Sequence, residues 1–306
     1  MSKYRAKAYI YLFGATVIWG IAGVVIKFTL TGIDPLPFLS YRFFISAIIA
    51  CFYLPKIIKL IKGNPDSGLE IIIHSVLATT ISLGFLFLGL DKSTVLNLVL
   101  ITLAAPLVTE YAGVIFLKEH LTKREKLGTF IALIGTLFTV FEPLFKSGSG
   151  FGELTGNILI LLYLASDIGG VIILKKLLKK NINVEALTQT SFIVGFLTLL
   201  PFTIFFMGSN VINTVLALPL KFHLGVIYMA VFSGSIAYYF RNKGQKTVEV
   251  GEAGLFSYLT QIITTPIAVL FLHEKVTPLF LVGAAIIAIG VIYAETKPSV
   301  AINKAD

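Results

Sequence analysis

The sequence predicts an all-α integral membrane protein of ten transmembrane helices, arranged as two inverted-topology five-helix repeats. Three observations carry that expectation. The first is composition. Of 306 residues, 56% are apolar or aromatic, 13% are charged, and the mean hydropathy is +0.90, whereas an ordinary soluble domain is about 25% charged. A water-soluble globule of this size could not hide so much apolar surface, which excludes a soluble enzyme and a disordered chain. Cys51 is the single cysteine and cannot make an internal bridge, so a disulfide scaffold is excluded too. The second is a set of apolar runs near the roughly 20 residues that a helix needs to cross the hydrocarbon core. They cover 8–30, 35–54, 70–90, 94–117, 124–142, 154–177, 184–206, 221–241, 249–273 and 277–295. None alternates strictly between polar and apolar residues, which argues against a β-barrel. The third is an internal repeat: residues 113–135, shifted by 155, fall on 268–290 with nine identities in 23 positions.

Taken in order, the first run follows Lys3, Arg5 and Lys7 and resembles a secretory leader only in that. It is too long for a leader's apolar region and no small-x-small cleavage site follows, so it is read as a span. Span 2 carries Arg42, and span 3 has His74 near its inner end, where it can snorkel and is given no role. Spans 4 and 9 end at Glu119 and Glu274 in short interfacial turns. Thr122-x-x-Glu125 is a capping box for span 5, and Thr277-Pro278 is an N-cap followed by proline at the first position of span 10. Gly128/Gly135 and Gly283/Gly290 are each seven apart, so each pair lies on one helix face, read as span 5 packing on span 10 or within its own half, with a dimer interface as the alternative. The stretch Lys146–Gly152 has the composition of a flexible seam. The divisions are then a first repeat over 1–146, a linker over 147–152, a second repeat over 153–298 and a tail over 299–306. The 207–220 loop is the longest outside stretch, with room for a short interfacial helix.

The net charge of +9 comes from basic residues between the apolar runs, with no nucleic-acid-binding pattern, so nucleic acid is not an expected partner. With the N-terminus inside, 19 Lys and Arg lie on inside segments. Four (Lys92, Lys146, Lys221 and Lys275) lie outside, and Lys27 and Arg42 lie within spans. This bias places both termini in the cytoplasm, and the expected location is the plasma (inner) membrane. Five spans per repeat is an odd number, so the halves enter the membrane in opposite senses, an architecture common among secondary transporters.

Candidate site residues follow from burial cost. Thr102, Pro106, Thr109 and Gly113 form a polar stripe on span 4 with Glu110 at its edge. The shift of 155 gives Ser257, Gln261, Thr264 and Ala268 on span 9. Facing lipid such stripes are costly; facing each other they either line a central cavity or bond one helix to the other. Asp167 near the middle of span 6, and Glu110, are ionisable at depths where a partner is required, with Lys27 or Arg42 as structural candidates. Trp19, Tyr163, Tyr238 and Tyr258 lie well inside their spans and suit a flat ring or an ammonium group as readily as plain packing. No P-loop, zinc-protease or serine-hydrolase motif is present, and no metal or nucleophile constellation can be named.

The motifs Trp19-Gly20 with Lys27, Arg42-Phe43, and Pro106…Phe116-Leu-Lys-Glu119…Gly128…Gly135, with a second copy Phe271-Leu-His-Glu274…Gly283…Gly290, resemble the EamA-type repeat of the drug/metabolite transporter superfamily. The resemblance spans 8–295 and implies ten helices and transport of small organic solutes, without a cofactor. The expected activity is alternating-access transport of amino acids or related amines. Nucleosides, organic acids and cationic drugs are the alternatives, and a channel or a membrane-embedded enzyme is disfavoured. Expected site residues are Trp19, Thr102, Glu110, Tyr163, Asp167, Tyr238, Tyr258, Gln261 and Thr264, between spans 4 and 9 and walled by spans 1, 3, 6 and 8. Expected partners are a small-molecule substrate, the lipid bilayer and protons as a coupling option, with a monomer or a homodimer as the assembly. The fourth-span proline, Pro106, has Gln261 as its counterpart and Pro266 five residues on, which displaces the expected helix break.

Overall fold

The computed structural model describes residues 3–118, 120–145, 150–208, 210–245 and 250–295. Glu119, linker residues 147–149 and the tail lie outside these. The described residues are helical throughout, without strands. Seven helices are long and apolar enough to cross a bilayer alone, nine if two bent pairs count as single spans, and Phe256–Leu272 is a shorter apolar helix. Ten full spans are therefore not what length and composition support among the described residues. Local breaks account for most of the difference.

The helices run α1 Lys3–Thr29, α2 Pro35–Cys51, α3 Leu54–Gly63 and α4 Gly68–Ser75, then α5 Ser82–Lys92, α6 Val95–Leu103 and α7 Ala105–Leu117. They continue as α8 Lys123–Phe141, α9 Gly150–Lys179, α10 Val184–Met207, α11 Asn210–Leu216, α12 Leu220–Ile227, α13 Ala237–Gln245, α14 Val250–Leu272 and α15 Pro278–Glu295. The expected linker is shorter than composition indicates, since Gly150–Gly152 already belong to α9. The 207–220 loop carries α11.

Each break has a sequence cause. The chain turns by 83° between α2 and α3, where Pro55 lacks the N–H that a continuous helix needs and biases Leu54 away from the preceding turn. The 40° bend between α6 and α7 falls at Ala104-Ala105-Pro106 for the same reason. The second half has no matching break: α14 runs unbroken through Pro266. Thr122 and Glu125 form the expected capping box of α8, and Thr277 Oγ1 accepts from the Phe280 amide at the start of α15. Lys118 and His273, which follow α7 and α14, both adopt the left-handed conformation, at φ 57° and 54°. Such a residue ends a helix because its amide turns back to an earlier carbonyl, here Gly113 for Lys118.

Two π-helical segments were not legible in the sequence. Val76–Ile81 joins α4 to α5, and Tyr228–Ile236 joins α12 to α13. They end 155 residues apart, the same shift as the sequence repeat.

The halves interleave. α1 packs on α13 and α14, α2 on α10, α5 on α9, and α8 on α15. The last contact is the expected meeting of spans 5 and 10. A Cβ added at Gly128 would stand 2.5 Å from the Gly290 carbonyl, and one at Gly290 would stand 2.6 Å from the Gly128 carbonyl. Only glycine permits so close an approach of two backbones. The central core joins α1, α2, α5 and α6 through Val24, Phe38, Phe43, Phe87 and Leu100.

Candidate functional site

A cavity of about 410 Å³ lies among the α4–α5 unit, α9, α10 and α13. Its rim is the α9–α10 turn, with Leu178, Ile182, Asn183 and Glu185. Its deep end holds Asp167, Thr79, Phe192 and Tyr238, and Arg241 projects into it from α13. Spans 3, 6, 7 and 8 build it, whereas the expected site lay between spans 4 and 9, whose helices α6 and α14 are in contact.

The deep end is an electrostatic cluster. Asp167 interacts with Arg241, and Tyr163 and Tyr238 interact with both. Among the described residues the basic neighbour of Asp167 is therefore Arg241, neither Lys27 nor Arg42. Trp19 of α1 packs against two of the lining residues, Tyr238 and Arg241. Its ring meets Tyr238 edge-on at 5.2 Å, the Arg241 guanidinium lies 5.6 Å from its centroid, and its Nε1 donates to the Ser233 carbonyl at 3.0 Å. Phe192 stands edge-on to Tyr238 at 6.1 Å. A cation, two ring faces and a carboxylate thus converge. The π segments position them: Val76–Ile81 contributes Ala78 and Thr79 to the lining, and Tyr228–Ile236 turns the Met229 and Ser233 carbonyls toward Arg42 and Trp19. π-bulges interrupt regular helix geometry and recur at functional sites.

Other expected site residues are placed elsewhere. Gln261 Nε2 donates to Thr102 Oγ1 at 3.0 Å, so the two stripes bond to each other. Thr264 is buried, and its hydroxyl donates to the Gly20 carbonyl at 2.8 Å. Tyr258 donates to Glu295 at 3.2 Å, at the far end of α15. Glu110 has an interaction of its own and is absent from the cavity lining. Of the nine, the structure gathers Trp19, Tyr163, Asp167 and Tyr238. Sequence reasoning missed Arg241, which it counted only as a flanking charge, and Phe192.

The end of the molecule opposite the cavity rim is closed by polar contacts. Lys27 Nζ donates to the carbonyls of Leu90 (2.6 Å) and Ser93 (2.7 Å), where α5 ends. Glu274 accepts from the amides of Val95 and Leu96, both at 2.8 Å, and so caps α6. Asn157 bonds the Thr139 and Val140 carbonyls at 3.2 Å and also meets Ser93. Burial pushes the Glu274 carboxyl above its ordinary range, while the two amides and Lys27 pull it the other way.

A model of the EamA-like transporter family matches residues 6–141 and again 154–295. Among curated proteins, the uncharacterized transporter YyaM of Bacillus subtilis (strain 168) is 25% identical over 299 residues, covering 94% of this chain and 93% of its own. An uncharacterized transporter of Archaeoglobus fulgidus is 26% identical over 282 residues, covering 92% and 83%. One solved crystal structure, 15% identical, superposes with a TM-score of 0.61 over 94% of this chain and 97% of its own, a likeness of fold.

Proposed function

Because the chain belongs to the EamA-like transporter family, we propose that it is a secondary carrier of amino acids or related amines that works by alternating access in the plasma membrane. The observation that carries this reading is the cavity ending at Asp167. Asp167 makes no hydrogen bond among the described residues and interacts with Arg241, Tyr163 and Tyr238. A carboxylate held beside aromatic faces is complementary to an ammonium head with an apolar body. Thr102, Gln261, Thr264, Tyr258 and Glu110 join the reading as supports of the helices around the site.

The two family matches, the π segments at the same repeat position and the left-handed caps at Lys118 and His273 favour two repeats of one unit. Five spans in each makes them inverted, and the distribution of Lys and Arg puts the cavity rim and both termini on the cytoplasmic side. The structure then corresponds to a state open inward and closed outward by Lys27, Glu274 and Asn157. Protons are a coupling option through Asp167.

A thermal-shift screen of the purified protein against amino acids, amines, nucleosides and organic acids tests the substrate class, since a ligand of the native state raises its melting temperature. Stabilisation by ammonium-bearing solutes is expected. Stabilisation by nucleosides or organic acids alone would overturn the assignment.

A further inference from the structure

Arg42 carries chemistry that the cavity lining leaves unused. It sits in the middle of α2 and is 3% exposed. Its Nε donates to the Met229 carbonyl at 3.1 Å, and its guanidinium stands 5.6 Å and 5.7 Å from the ring centroids of Phe43 and Phe87. Nη1 has no hydrogen-bond partner, and no carboxylate pairs with the residue among the described residues. Arginine cannot shed its proton in a protein, and an unbonded charged donor out of water is costly. Such groups within spans mark pathways rather than packing.

Its surroundings share this condition. Ser46, one turn along α2, has a buried hydroxyl without a partner among the described residues. Ser46 Oγ lies 3.8 Å from the position a Cβ on Gly234 would take, and the tip of the Phe192 ring lies 3.6 Å from the same point. Arg42 also interacts electrostatically with Tyr238. Phe192 and Tyr238 line the deep end of the cavity, so the unbonded donors lie just behind that aromatic partition.

We propose that Arg42, with the Ser46 hydroxyl, is a recognition site for a carboxylate on the transported solute. The solute reaches it when the Phe192–Tyr238 partition yields, its ammonium leaving Asp167 as it does so. A free guanidinium nitrogen and one hydroxyl match the two oxygens of a monoanionic carboxylate better than a phosphate dianion. The inference rests on the transport reading and narrows it to solutes that bear both charges.

The test is counterflow in liposomes with solute pairs that differ only in the carboxylate, such as phenylalanine with phenethylamine and leucine with isoamylamine. Wild type should favour the carboxylate member. Arg42→Gln should slow that member about tenfold or more and leave the amine within about twofold, with Arg42→Lys intermediate. Equal slowing of both members, or a wild type that moves the amine as well as the amino acid, would overturn the assignment. If Arg42→Gln does not fold, the wild-type preference and Arg42→Lys decide. If wild type moves neither member of any pair, the transport reading fails separately. The Arg42 site then stands or falls on whether the carboxylate member raises the wild-type melting temperature more than its partner does.

Discussion

Gln261 on α14 donates its side-chain amide to the Thr102 hydroxyl on α6 at 3.0 Å, across 159 residues of sequence. The two halves of the chain are thus tied where their polar stripes meet, one turn before the Pro106 break. Thr102 passes its own proton to the Leu98 carbonyl at 2.7 Å, so its hydroxyl both donates and accepts within the protein. Gln261→Leu and Thr102→Val should each cost about 1 kcal/mol of stability, with a coupling in the double mutant close to the single losses. Thermal melting in detergent gives the values. Wild-type melting with weakened solute binding would return these residues to the solute's own contacts.

Asp167 faces Arg241 and the aromatic wall, so Asp167→Asn should lower affinity for ammonium-bearing solutes about 10- to 100-fold and spare neutral analogues. Titration by thermal shift separates the two classes. An equal loss for both would show that the side chain shapes the cavity rather than pairs with charge.

Burial holds the Glu274 carboxyl above its ordinary range. The folded chain therefore binds a proton there at a pH at which the unfolded chain has released it. Between the two values stability rises as pH falls. Melting temperatures measured downward through the range just above ordinary carboxylate values should show a gain in wild type that Glu274→Gln lacks. A wild type that loses ground to Glu274→Gln on the same acidification would reverse the sign and show that the charged cap is preferred.

Gly128 and Gly290 meet backbone to backbone. Gly290→Ala should push α15 off α8 and destabilise by about 1–3 kcal/mol, the usual range for overpacking. Gly152→Ala, where nothing lies within 4 Å of the added Cβ, is the control and should be near neutral.

Much of this was legible in the sequence because the bilayer enforces it. The apolar runs, the capping box at Thr122, the proline break at Pro106 and the glycine contact between spans 5 and 10 all follow from local chemistry. The site was legible only in part. Trp19, Tyr163, Asp167 and Tyr238 stood out as polar or aromatic groups at depth, and the structure brings them together. Thr102 and Gln261 stood out for the same reason and pair with each other, since periodicity gives a face but not what covers it. Arg241 looked like a flanking charge because it falls at a span's end; the π segment Tyr228–Ile236 lies just before it and shifts the helix phase. No residue pattern announced that segment. The unbroken α14 shows a related limit, since Pro266 is accommodated inside it.

Under the proposed function, one site is exposed alternately to each side of the membrane. Counterflow in sealed liposomes, with the solute selected by thermal shift, tests it most directly. Unlabelled solute inside should accelerate uptake of labelled solute and drive it transiently above equilibrium, and Asp167→Asn should lose this for ammonium-bearing solutes. Uptake that only equilibrates, at a rate indifferent to solute on the far side, would contradict it and identify a channel.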